Sequence, residues 1–245
     1  MICPKCGHEQ QDGLVECQGC GVIFARIRSG LHNKGKDLSH GDTRVRDDTT
    51  AIFDLLFSVS AEPDAVALLM KAVLVAALVF LSIRFMAQPM ENAGGSYFHL
   101  VNLLFHEAGH VFFSLAGRFM AVLGGSLLQI IVPLLCVLVL LLKTRDPFGA
   151  SVALWWFGQN FVDIAPYIDD ARTLDLMLLG GVRGKDVPGI HDWENILGAI
   201  GMLGFDHTIA HAALWIGYSV MGLSCAWAGM LLFAEYNRMR GKKTS

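Results

Sequence analysis

The sequence predicts an all-α, polytopic membrane helix bundle of about four to six spans, preceded by a small cysteine-rich domain. Three observations carry this expectation. The chain of 245 residues is 53 % apolar and only 17 % charged, with a mean hydropathy of +0.48, outside the range of soluble domains of this length. Several apolar stretches reach the ~20 residues that a helix needs to cross the hydrocarbon core. Four of the six cysteines lie within the first twenty residues. The net charge of −3 is modest, and the N-terminal segment is mixed in charge rather than basic, which speaks against nucleic acid as a partner.

Cys3, Cys6, Cys17 and Cys20 form two knuckles in the pattern C-x2-C-x10-C-x2-C. Thiolates at that spacing close a tetrahedron around one structural Zn2+. Each knuckle runs into a glycine, which suits the tight turn that aims backbone amides at sulfur. The alternative, two disulfides, needs an oxidising compartment; the metal-knuckle spacing favours zinc, and with it a cytosolic N-terminus. Residues 1–28 are therefore assigned to a zinc ribbon. The opening MICPKCGHEQ has no basic segment followed by an apolar one, so the first span is expected to direct insertion. Cys136 and Cys225 lie in apolar runs and are expected to be buried small side chains.

Residues 29–64 are expected to form a linker, polar over 29–50, with a short amphipathic segment at 51–60 that lies on the membrane or docks on the bundle. The bundle occupies 65–236, with apolar segments at 65–87, 97–117, 119–142, 148–168 and 207–233. Lys71 and Arg84 sit where their stems can snorkel. Pro133 is tolerated if neighbours satisfy the freed carbonyl. The fourth segment turns polar and carries Asn160 and Pro166, which suggests broken helix lining a cavity. Segment 174–205 holds two apolar pieces, each too short to span, which read as re-entrant or half-helices. The tail, 237–245, is basic and, with the ribbon, argues for both termini on the cytosolic side.

The chemistry is carried by His106-Glu107-Ala108-Gly109-His110 in the second segment. HExxH on a helix places imidazoles at i and i+4 on one face, where both reach one Zn2+, and sets the Glu beside the open coordination position. His106 and His110 are the expected ligands of a catalytic zinc, and Glu107 is the expected general base. Ionisable groups at membrane depth are costly and mark function. A third ligand is expected from the polar end of the fourth segment: Asp169 first, with Asp170 or Asp163 as alternatives. His99 falls on nearly the same stripe as His106 and is read as an interfacial His near the helix start, ahead of a group that supports the ligands or faces substrate. A second pair, His207 and His211, has Thr208 in place of the Glu and is read as interfacial. His191-Asp192-Trp193 lies in a Gly- and Pro-containing loop, read as an interfacial anchor through Trp193 ahead of a lid over the site.

These residues resemble the site-2 protease family of intramembrane zinc metalloproteases. FHEAGHVFFSLAG is similar to the family's first motif. Asn160 and Pro166-Tyr-Ile-Asp169 resemble its second, N-x-x-P-x-P-x-L-D-G, with the Asn-to-Asp spacing one residue longer and Asp170 in place of the Gly. Gly124-Gly125 resembles a small-residue turn that family members place near the site. The resemblance implies His106, His110 and Asp169 on the catalytic zinc, Glu107 as base, and Asn160 near the metal. It also implies a membrane-protein substrate cleaved within the lipid bilayer. The ribbon, outside that resemblance, suits a cytosolic protein partner. The rival expectation is a non-catalytic, membrane-anchored zinc-ribbon adaptor with a relic metal site.

Overall fold

The structure, a computed structural model, describes residues 2–3, 8–9, 11, 15–20, 48–60, 62, 64–88 and 95–242. The chain divides into two compact units, Met1–Thr50 and Ala51–Ser245. In the first, Ile2 and Glu9 form an antiparallel bridge. The Cys3 N–H donates to the His8 carbonyl at 2.9 Å, which folds the chain back. Cys3 and Cys17 are buried.

The second unit is helical. A short helix, α1 (Asp48–Phe57), leads into α2 (Ala65–Ala87), α3 (Tyr97–Phe113), α4 (Arg118–Leu138) and α5 (Pro147–Asp169). A short α6 (Asp192–Ala199) and a long α7 (Asp206–Lys242) complete it. Local chemistry sets the starts. Asp64, Ser96 and Asp146 each accept an N–H of the first turn, from Ala67, His99 and Gly149, and Pro147 fits the first turn of α5, where no N–H is needed. Between α3 and α4 a single 3-10 turn (Ser114–Ala116) and Gly117, at φ +97°, reverse the chain.

Among the described residues, three helical segments are long and apolar enough to cross a membrane: Ala65–Ala87, Arg118–Lys143 and Leu203–Gly241. α5 is central, packing along α7 on one side and α4 on the other, while α3 packs on α4 and α2 on α7. Small residues make these approaches close. A Cβ at Gly217 would meet the Gly158 carbonyl oxygen at 2.7 Å, and one at Gly109 would meet that of Gly124 at 2.1 Å. Trp155 of α5 is the hub of the core; its ring tilts against Phe98 and Phe85, and its Nε1 donates to Ser82 Oγ at 2.8 Å.

Several expectations change. α5 is continuous through Pro166 to Asp169 rather than broken; the Asp170 and Ala171 N–H groups donate to the Pro166 and Ile168 carbonyls, and the Asp170 carboxylate accepts the Asp175 N–H of the following turn. Gly124 and Gly125 lie inside α4, not in a turn. The first apolar piece of 174–205 is a tight reversal, with a Met177–Arg183 bridge and Gly180 and Gly181 at positive φ. The second is largely the eight-residue α6. The basic tail is not separate, since α7 runs on through Lys242. Lys71 has a partner the sequence did not suggest, the buried Glu235 at 2.8 Å.

Candidate metal centre

His106 and His110 occupy successive turns of α3, with their rings edge to face at 4.9 Å between centroids. Their orientation follows from α4. Asp163 only accepts hydrogen bonds when ionised, so the Gln129 amide nitrogen, 2.8 Å away, must donate to it. That turns Gln129 Oε1 toward His106 Nδ1, 3.1 Å away, which must then be the protonated nitrogen. His110 Nδ1 donates to the Ala121 carbonyl at 2.8 Å. Both imidazoles therefore present an unprotonated Nε2 to the same point when neutral.

The group that meets them there is Asp192. Its Oδ2 lies 3.0 Å from His106 Nε2 and 3.2 Å from His110 Nε2, close to the ~3.3 Å edge of a tetrahedron with bonds of ~2.0–2.1 Å. Three acceptors at this spacing repel unless a proton or a cation sits among them. His106, His110 and Asp192 are thus a group able to hold a metal ion. The Asp192 side chain is only 13 % exposed. Burial pushes its carboxyl up, but hydrogen bonds to the two imidazoles outweigh that, and it lies below the usual carboxylate range. Gly125 keeps the site open: a Cβ there would come within 2.7 Å of His106 Nε2 and 2.8 Å of His110 Nε2.

The sequence-expected third ligand is not in this group. Asp169 instead hydrogen-bonds His207 Nδ1 at 2.6 Å. The reason is the unbroken helix: residues two apart are turned about 200° around the axis, so Asp169 faces away from Tyr167, which lines the site. Asp170 accepts the N–H groups of Asp175 and Leu176 and the Thr173 hydroxyl. Asp163 faces the cavity but holds His99 Nδ1, at 3.2 Å, and Gln129. His99 thus joins His106, through Asp163 and Gln129, in one hydrogen-bonded chain. Asn160 does not: it is buried, its Nδ2 donates to the Trp156 carbonyl, and its Oδ1 has no partner among the described residues.

Asp192 was not expected in the group, because its loop carries no metal signature. The signal was there in part, as an adjacent His-Asp pair in the Gly- and Pro-containing loop at His191-Asp192-Trp193. Trp193 is no interfacial anchor; it packs on the core and its Nε1 is buried.

A cavity of about 610 Å³ opens over the group. Glu107 and His99 line it on α3, Tyr167 on α5, and apolar side chains of the 176–182 reversal cover it. In the N-terminal unit, Cys3, Cys17 and Cys20 bring their sulfurs together. Cys3 Sγ and Cys20 Sγ are 3.9 Å apart, near the ~3.8 Å edge expected for thiolates ~2.3 Å from a tetrahedral centre and nearly twice a disulfide bond. The Gly19 N–H points at Cys17 Sγ at 3.4 Å. Cys6 lies outside the described residues.

No family model, curated protein or solved structure matches the chain.

Proposed function

We propose that the chain is a membrane-embedded zinc metalloprotease, with catalytic zinc held by His106, His110 and Asp192, and a second, structural zinc in the ribbon. The single observation that carries this is the convergence of two Nε2 atoms and one carboxylate oxygen at 3.0–3.2 Å beside the exposed Glu107, in one cavity. Two imidazoles and one carboxylate, with a fourth position left open, is a donor set of hydrolytic zinc. Bound there, zinc supplies Lewis acidity and an activated water at neutral pH. Glu107, one residue from His106 on the same helix, takes the proton of the attacking water and returns it to the leaving amine. The Asp163–Gln129 pair holds His106 in the tautomer that offers Nε2, and Ala121 does the same for His110.

The substrate class follows from the surroundings. α3 turns Leu100, Leu104, Val111 and Phe112 outward, all at least 64 % exposed, an apolar face suited to lipid. With its 3-10 turn it is ~31 Å long, enough for the hydrocarbon core. α3 and α5 then join the three long segments as membrane helices, within the expected four to six. The substrate is a membrane protein whose helix has unwound, because a peptide bond must be exposed to be attacked. A cytosolic partner for the ribbon belongs to the same proposal.

The test uses the full chain, zinc-loaded in mild detergent, with a labelled unfolded protein as substrate. Wild type is expected to cleave it, and a chelator to stop it. Glu107→Gln should lose about 10²-fold or more in turnover while keeping its zinc. Undiminished turnover in Glu107→Gln sinks the base assignment. A zinc-loaded wild type without turnover returns the adaptor reading.

A further inference from the structure

Asp192 is the one member of the metal group that no long helix carries. It opens the eight-residue α6, which follows the loop after α5, whereas both imidazoles sit on the packed face of α3. Metal sites tolerate errors of only about 0.2 Å in ligand placement, so something must fix the start of α6 against the bundle. Two side chains do so. His191 is fully buried, and its Nδ1 accepts the Glu194 N–H at 3.2 Å, capping the helix. Tyr167, in the last turn of α5, accepts the backbone N–H of Asp192 itself on its hydroxyl oxygen at 2.9 Å.

That N–H is one of the donors a helix start cannot satisfy internally, so the phenol gives it the only direction in which it is paired. The ring is wedged between the site and the cap, 6.1 Å from the His106 ring and 4.3 Å from the His191 ring between centroids. One side chain from α5 thus holds the backbone of the residue that α6 contributes. Neither metal binding nor proton transfer, as described above, assigns it a part.

We infer that Tyr167 is the positioning residue for Asp192, holding its carboxylate against His106 and His110 so that the three form one metal site. This rests on the reading of that group as a metal site and not on proteolysis. Partners of this kind, bonded to a ligand rather than to the metal, typically set 10–100-fold in metal affinity.

The experiment measures zinc affinity of the full chain in detergent by competition with a chromophoric chelator. The bundle site is identified as the zinc that disappears in His106→Ala. Tyr167→Phe keeps the ring and removes only the hydroxyl. It is expected to weaken the bundle zinc about 10–100-fold and to leave the ribbon zinc unchanged. In an Asp192→Ala background, where two imidazoles bind zinc weakly, Tyr167→Phe should add nothing further. Wild-type affinity in Tyr167→Phe overturns the inference. So does a loss that persists undiminished without Asp192, because the hydroxyl would then act on the fold and not through the ligand. A wild-type chain with no bundle zinc removes the metal reading and the role of Tyr167 with it.

Discussion

Asp192 and Asp169 differ in what surrounds them, and that sets their expected behaviour. Asp192 faces two imidazole nitrogens at 3.0 and 3.2 Å, whereas Asp169 is paired with the half-exposed His207. Asp192→Asn should therefore remove or severely weaken the bundle zinc, and Asp169→Asn should leave it in place; metal analysis of the two purified variants decides between them. His106, Glu107 and His110 were legible because their spacing alone puts them together on a helix. Asp192 was not, because it reaches them across 86 residues of chain, and nothing local in a sequence records a long-range meeting of that kind. Asp169 misled for a related reason. A proline in a polar stretch suggested a break, and a helix held by good packing on both sides absorbed it instead.

The seam between α3 and α4 is where the two imidazoles and the closest helix packing meet. Gly109 and Gly124 let the backbones approach, and Gly125 leaves room for the imidazoles. Gly109→Ala would push a methyl into the Gly124 carbonyl, a rigid backbone contact, and is expected to cost about 1–3 kcal/mol in helix association; its midpoint of unfolding in detergent should fall. Gly125→Ala meets side-chain rings instead of backbone. It should keep most of its helix content by circular dichroism yet lose bundle zinc. Helix positions were readable from apolar length and from the caps. What was not readable was the end of α7, since a basic tail looks like a solvated coil. At 37 residues α7 is ~55 Å long, well beyond the hydrocarbon core, and its last turns hold the approach to α2: Arg238 donates to the Val59 and Ser60 carbonyls.

At the scale of the whole molecule, the division into Met1–Thr50 and Ala51–Ser245 has a direct test. A chain lacking residues 1–50 is expected to keep the helical bundle in mild detergent and to carry one zinc where the full chain carries two. Collapse of the shortened chain would show that the ribbon supports the bundle. The composition foretold a helical membrane protein with a cysteine-rich N-terminal unit, but it did not fix how many segments cross. α3, at 17 residues, and α5, with its polar second half, fall short of the length and apolarity of the three clear spans. They owe their place to the helices around them, and that is information a single segment does not hold.

The distance along the chain between the ligands also orders events during synthesis. His106 and His110 are made with α3, but the carboxylate that meets them is encoded more than eighty residues later, after α4 and α5 have been made. At ~5–20 residues per second, a nascent chain carries the paired imidazoles for several seconds before Asp192 exists. A ribosome-bound intermediate ending before α6 therefore has a two-ligand half-site and no means to retain metal firmly. Any metal that needs all three residues is therefore retained only once α6 has been made, while α7, along which α5 packs, is still to come.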